Sequence, residues 1–161
     1  MSARVKKPKS LGIWGNTDKP RFWELLPPIM DWAKDNKLAT FLTTRIQDNL
    51  PKSFSYDYQL IESADDFYQT DFLLTLGGDG TILSVTRAVG HRKTPILGIH
   101  LGELGFLAEV TVDDMFNRLD MVATGNYSLH KRMILKAEII NGNGPQIFYA
   151  LNIKVVQGLF L

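Results

Sequence analysis

"LLTLGGDGTIL", residues 73–83, decides how this chain is read. An apolar run stops at two glycines, an aspartate and a third glycine, then resumes at once. A turn needs one glycine or two. Three around one carboxylate imply that something else comes close to the backbone there. "DFLLTL" (71–76) predicts a buried strand. "DGTILSVTRAVG" (79–90) predicts a helix with apolar Ile82, Leu83, Val85 and Val89 and a closing glycine. Gly77, Gly78, Asp79 and Gly80 then stand at the C-terminal end of a parallel strand, where open α/β sheets bind ligands. Glycine lets backbone N–H groups face an anion, and the helix adds its positive N-terminal end. Phosphate is the expected guest. Asp79 is an anion in the same place. A carboxylate beside a phosphate needs an intervening cation, or it takes a proton during the reaction, as from an attacking hydroxyl. The alternative is that Asp79 caps the helix. No Gly-Lys-Ser/Thr follows, so this is not a Walker loop, nor is it G-x-G-x-x-G.

Outward from this turn the pattern alternates. "SLGIWG" (10–15) reads as a strand and "NTDKP" as a loop. From Arg21 to Lys37, Phe22, Leu25, Leu26, Ile29, Trp32 and Ala33 recur at helical steps. Pro27 and Pro28 should kink that helix or delay its start. "LATFLT" (38–43) is a strand, and residues 45–62 are polar and irregular, a short strand or a mobile loop. "PILGI" (95–99) is a further strand and residues 111–125 a helix, with Asp113 and Asp114 complementing its positive end. The sum is an α/β, Rossmann-like domain with a largely parallel sheet over residues 10–125. From residue 126 the character changes. Residues 126–140 and 145–156 read as paired strands about an "NGNG" turn (141–144). Two strands do not make a stable sheet alone. Residues 126–161 are therefore expected to be the incomplete start of an all-β domain, and residues 1–9 a disordered N-terminus.

Bulk properties narrow the function. The 161 residues suit one domain or one and the start of another. A formal net charge of +1 makes no electrostatic case for nucleic acid. The absence of cysteine excludes disulfides, thiolate catalysis and cysteine-ligated metal sites, and is compatible with the cytoplasm. No apolar run approaches the roughly 20 residues of a membrane span. The basic start, "MSARVKKPKS", lacks the apolar core of a secretory signal. His91, His100 and His130 have no ligand spacing and read as surface or loop residues, and no metal site is expected in the protein itself.

A second motif adds to the first. "ILGIHLGELGFLAEV" (96–110) is a strand leading into a loop with glycines at 98, 102 and 105. Phe106 offers a flat face for a base; the alternative is that Phe106 and Leu107 are core residues. "GGDGT" after a buried strand resembles the phosphate-handling turn of NAD kinases, of lipid kinases of the diacylglycerol and sphingosine type and, more distantly, of phosphofructokinases. The run from 96 to 110 is similar to the Gly-Ile-Asn-x-Gly-x-Leu-Gly-Phe-Leu segment of NAD kinases, which lipid kinases lack. The resemblance covers residues 11–152, the family's N-terminal α/β domain and the first strands of its C-terminal β domain.

The resemblance implies phosphorylation of NAD by ATP at the 2′-hydroxyl of the adenosine ribose, giving NADP. It makes Asp79 the general base that deprotonates that hydroxyl. Gly77, Gly78, Gly80 and Thr81 line the phosphates. Gly80 also contacts NAD, Leu83 and Phe106 border the NAD adenosine, and Asn152 in "YALN" holds the NAD ribose and nearby amide. A divalent cation such as Mg²⁺ spans the nucleotide phosphates. The partners are NAD and ATP, without nucleic acid or membrane, and the full-length protein is a cytoplasmic homo-oligomer. Two residues depart from the pattern. His100 stands where the family usually has Asn, and Ile153 where an acid follows Asn152. A frame shift or truncation just after Asn152 is the expectation that covers both the missing acid and the apolar end "VVQGLFL". The 161-residue chain is expected to have the family's fold in its first part with little or no turnover, and the alternative functions are a catalytically inactive nucleotide-binding fragment and a lipid kinase relative.

Overall fold

A computed structural model describes residues 7–102, 105–108, 110–141 and 144–151. The chain divides into two units, Met1–Leu129 and His130–Leu161. In the first, strands β1 (Ser10–Gly15), β2 (Ala39–Thr43), β3 (Gln59–Ile61), β4 (Phe72–Gly77), β5 (Ile96–His100) and β6 (Val110–Thr111) form one sheet in the order β3-β2-β1-β4-β5-β6. Every pairing is parallel. The crossovers carry helices α1 (Pro20–Asp35), α2 (Thr44–Gln47), α3 (Asp79–Val89) and α4 (Met115–Thr124). The fold is α/β and Rossmann-like, with the strand order of a doubly wound nucleotide-binding sheet.

Both faces of the sheet are covered, which is why its strands read as unbroken apolar runs rather than as alternation. Leu11, Ile13, Phe72, Leu74 and Leu76 pack with Phe22, Leu25, Leu26, Ile29 and Ala33 of α1 and with Met115, Leu119 and Val122 of α4. Leu73 and Phe41 point the other way, onto Val85 and Val89 of α3 and Phe67 of a short 3₁₀ helix, Ala64–Gln69. The Trp32 indole N–H donates to Asp120 at 2.7 Å and ties α1 to α4.

Several expectations shift. Helix α1 is not delayed: it starts at Pro20, where the missing N–H is an orphan in any case, and continues through Pro27 and Pro28. Buried residues on both sides of the proline pair, Leu25 and Leu26 before it and Ile29 and Met30 after it, hold the helix to the sheet. Residues 45–62 contain α2 and β3, and their aromatic residues Phe54, Tyr56 and Tyr58 pack on the core. Helix α4 begins at Met115, because Val110 and Thr111 continue the sheet beside β5. Among the described residues no helix is long and apolar enough to cross a membrane.

The second unit is an antiparallel hairpin of β7 (Ile134–Asn141) and β8 (Gly144–Leu151). Its first strand starts eight residues later than the sequence pattern suggests, since residues 126–133 lie outside any strand. Asn141 pairs with Gly144, whose φ of 97° suits glycine. Asn152 and the predicted strand end at 152–156 lie outside the described residues.

Candidate functional site

The sheet reverses its build direction between β1 and β4, its topological switch point, where the crevice of such a sheet opens. The Asn16 N–H donates to the Leu76 carbonyl at 2.9 Å and seals the two strand ends together. Strand β4 runs into Gly77, Gly78 takes the N-cap position of α3, and Asp79 is the first helical residue.

The three glycines of the turn are glycine for different reasons. A Cβ on Gly77 would lie 2.1 Å from the Thr81 hydroxyl, so this glycine makes room for a neighbouring side chain of the chain itself. Gly78 and Gly80 are exposed, and a Cβ on either would meet nothing among the described residues within 4 Å. Packing among the described residues does not require glycine at these two positions.

Asp79 does not cap its helix. Its carboxylate crosses to the loop after β5 and accepts the Phe106 N–H at 2.9 Å and the Leu107 N–H at 3.1 Å. The capping alternative is thereby set aside, since Gly78 is the N-cap and no side-chain cap bond forms. The Phe106 N–H above all, and then the Leu107 N–H, the nearby His100 and the Ala108 backbone, hold the Asp79 carboxyl below its ordinary value against the opposing effect of desolvation. Gly105 permits this contact, because a Cβ there would lie 2.2 Å from Asp79 Oδ1.

His100 corrects its sequence reading. It is not a surface or loop residue: it ends β5 and is 3 % exposed. Backbone pairing with Gly77 and Thr111 on its two sides draws it inward. His91 and His130 are exposed, as expected. Phe106 is 92 % exposed, so it is no core residue, and Leu83 and Leu107 are half-buried. The structure thus brings Gly77, Gly78, Asp79, Gly80, Thr81 and Phe106 to one end of the sheet. Asn152 lies outside the described residues.

A cleft of about 560 Å³ opens at the same end of the sheet. It is lined by Trp14, Asn16, Thr43, Arg45, Glu62 and Ser63 after the first three strands and by Gly80, Thr81 and Ser84 of α3. Arg45 donates to Thr17 Oγ1 at 2.9 Å and to Asp18 at 3.0 Å, bracing one wall. The Trp14 indole N–H donates to Ser84 Oγ at 3.1 Å, and that hydroxyl donates to the Thr81 carbonyl at 2.8 Å. Sequence reasoning missed these residues. The available signal was position: Trp14, Asn16, Thr43 and Glu62 stand at or just after the C-terminal ends of β1, β2 and β3, the same rule that singled out the turn after β4.

Fold and site define a doubly wound α/β unit with a glycine-rich turn and a held carboxylate at the end of β4. The family model described as "ATP-NAD kinase N-terminal domain" matches residues 11–127, and the chain belongs to that family. It is 34% identical over 154 residues to the NAD kinase of Thermoanaerobacter sp. strain X514, covering 94% of this chain and 53% of that protein. It is 36% identical over 135 residues to the NAD kinase of Geotalea daltonii, covering 83% of this chain and 45% of the relative. The chain therefore spans about half the length of the curated relatives it matches. Among solved structures, yeast NADH kinase complexed with NADH superposes with a TM-score of 0.76 at 20% identity, over 90% of this chain and 47% of that one, and shares the fold.

Proposed function

We propose that this chain carries the catalytic base and the donor cleft of an NAD kinase. The reaction moves the γ-phosphoryl group of ATP to the adenosine ribose 2′-hydroxyl of NAD. The observation that carries this reading is the turn after β4. It joins two open glycines, Gly78 and Gly80, to a carboxylate whose orientation is held from outside its own helix.

The chemistry follows from that geometry. The free N–H ends of α3 beside Gly78 and Gly80 draw phosphate oxygens to the turn. The neighbouring cleft is of a size to take the rest of a nucleotide, with Trp14 and Thr81 in its wall. Each Asp79 oxygen spends one lone pair on an amide and keeps another. Asp79 takes the proton of the 2′-hydroxyl as that oxygen bonds to the γ-phosphorus and the bond to the β-phosphate bridge breaks, releasing ADP. A carboxylate held below its ordinary value is a weak base, which suits a loose phosphoryl transfer in which the hydroxyl proton leaves late. Exposed Phe106 supplies a face for the NAD adenosine, with half-buried Leu83 in α3. ATP enters as its Mg²⁺ complex. The nucleotide phosphates would hold the ion, which would neutralise their charge during transfer.

The setting we propose is a cytoplasmic homo-oligomer, supported by apolar residues exposed along the hairpin. Light scattering on the purified chain checks that point, and a strict monomer counts against it. The reaction itself is tested by NADP formation from NAD and ATP. A second reading, a nucleotide-binding unit without turnover, is favoured if both nucleotides bind and no NADP forms.

A further inference from the structure

Among the described contacts, backbone groups of the four consecutive residues Gly105 to Ala108 meet two side chains, His100 and Asp79. The Gly105 N–H points to His100 Nε2 at 3.1 Å, and the Ala108 carbonyl lies against the same nitrogen. Between these two points, the Phe106 and Leu107 N–H groups close on the Asp79 carboxylate. Phe106 is exposed, Leu107 half-buried, and buried Ala108 is small. His100, by contrast, is fixed in the sheet by backbone pairing on both sides. Its Nδ1 is buried without a hydrogen-bond partner among the described residues, so the described polar contacts of the ring all go to this segment.

We infer that His100 is a positioning residue: it holds both ends of the Gly105–Ala108 segment so that the Phe106 and Leu107 amides orient the Asp79 carboxylate. A single ring nitrogen meets two opposite demands. Protonated, Nε2 donates to the Ala108 carbonyl; unprotonated, it accepts from the Gly105 N–H. In either state it pins one end of the segment directly and the other by contact. The competing view is a buried histidine that merely fills space. The two views differ in what happens to Asp79 when the ring is replaced by a side chain of similar bulk that forms no hydrogen bonds. The catalytic meaning of the inference rests on the proposed role of Asp79, whereas its geometric content does not.

Carbon-detected NMR titration of the Asp79 carboxyl in the 161-residue chain tests it, with His100→Leu and His100→Gln compared to the unaltered protein. The glutamine amide reaches the place of Nε2 and carries both a donor and an acceptor; leucine carries neither. In the leucine variant the Asp79 midpoint should rise toward the ordinary carboxylate value, and in the glutamine variant it should stay near that of the unaltered chain. His100→Asn, whose amide stops one bond short of Nε2, takes the place of leucine if that variant does not fold, and is expected to raise the midpoint. An unchanged Asp79 midpoint in the leucine variant, or in the asparagine variant standing in for it, overturns the inference. An equal rise with glutamine also overturns it. None of these readouts needs turnover. A rise with leucine alone, in a protein that makes no NADP, would sink the kinase reading and leave the positioning role intact.

Discussion

The α/β unit and the hairpin treat the same residue types in opposite ways. In the first unit Leu11, Ile13, Leu73, Leu74 and Leu76 are fully buried between two layers of helix. In the hairpin Ile134, Ile139, Ile147 and Phe148 are all exposed, and Ile140 is 83 % exposed. A parallel sheet closes its own faces because each crossover lays a helix on it. A two-stranded ribbon has no layer to lay. The difference teaches that burial in this chain follows connectivity as well as hydrophobicity: β7 and β8 carry large apolar residues, and the hairpin leaves them exposed.

That comparison can be broken by mutation. Leu74→Ala, at the centre of the sheet, should cost about 2–5 kcal/mol in urea unfolding, the range for cavity-forming core truncations. Ile140→Ala should change stability by no more than about 0.5 kcal/mol, as for an exposed site. Equal losses at the two positions would show that the hairpin is packed more firmly than its exposure indicates.

The glycines of the turn sharpen it at a finer scale. Gly77→Ala should destabilise the fold by about 1–3 kcal/mol, because its methyl group meets the Thr81 side chain. Gly80→Ala should leave the fold as stable, or stabilise α3 by up to about 1 kcal/mol, while weakening ATP binding in a calorimetric titration. Unchanged ATP affinity in Gly80→Ala would remove the reason given for that glycine.

The bond between Asp79 and the loop should also respond to acid, with a definite sign. Its carboxyl is held below the ordinary value of about 3.9 in the folded chain, foremost by the Phe106 N–H. Its contribution is therefore complete above that ordinary value and is lost as pH falls through the lower folded one. The Phe106 and Leu107 amide resonances should report the loss, and Asp79→Asn should abolish the titration. A midpoint at or above the ordinary carboxyl value would contradict the geometry. A modest effect is expected from Ser84→Ala. It removes the partner of the Trp14 indole N–H and should cost about 1 kcal/mol or less, with a shift in tryptophan emission.

Much of the α/β unit was legible because its signals are local. Apolar runs ending in glycine marked β1 and β4, and helical spacing marked α1 and α3. What was not legible depended on neighbours far along the chain. The burial of His100 comes from pairing with Gly77 and Thr111, and the short strand β6 exists only as an edge beside β5. The turn was recognised, but its internal division was not. Only the packed structure distinguishes Gly77, set against Thr81, from Gly78 and Gly80, which face open space. The partnership of Asp79 with residues 106 and 107 spans nearly thirty positions, and no spacing rule announces it.

The most direct test of the kinase reading is NADP formation from NAD and Mg²⁺–ATP, run side by side on the unaltered chain and on Asp79→Asn. NADP should form with the unaltered chain, if slowly, and the variant should be slower still by about 10²-fold or more, the range for loss of a general base. Equal rates in the two proteins, or no NADP from the unaltered chain with both nucleotides bound, would contradict the account.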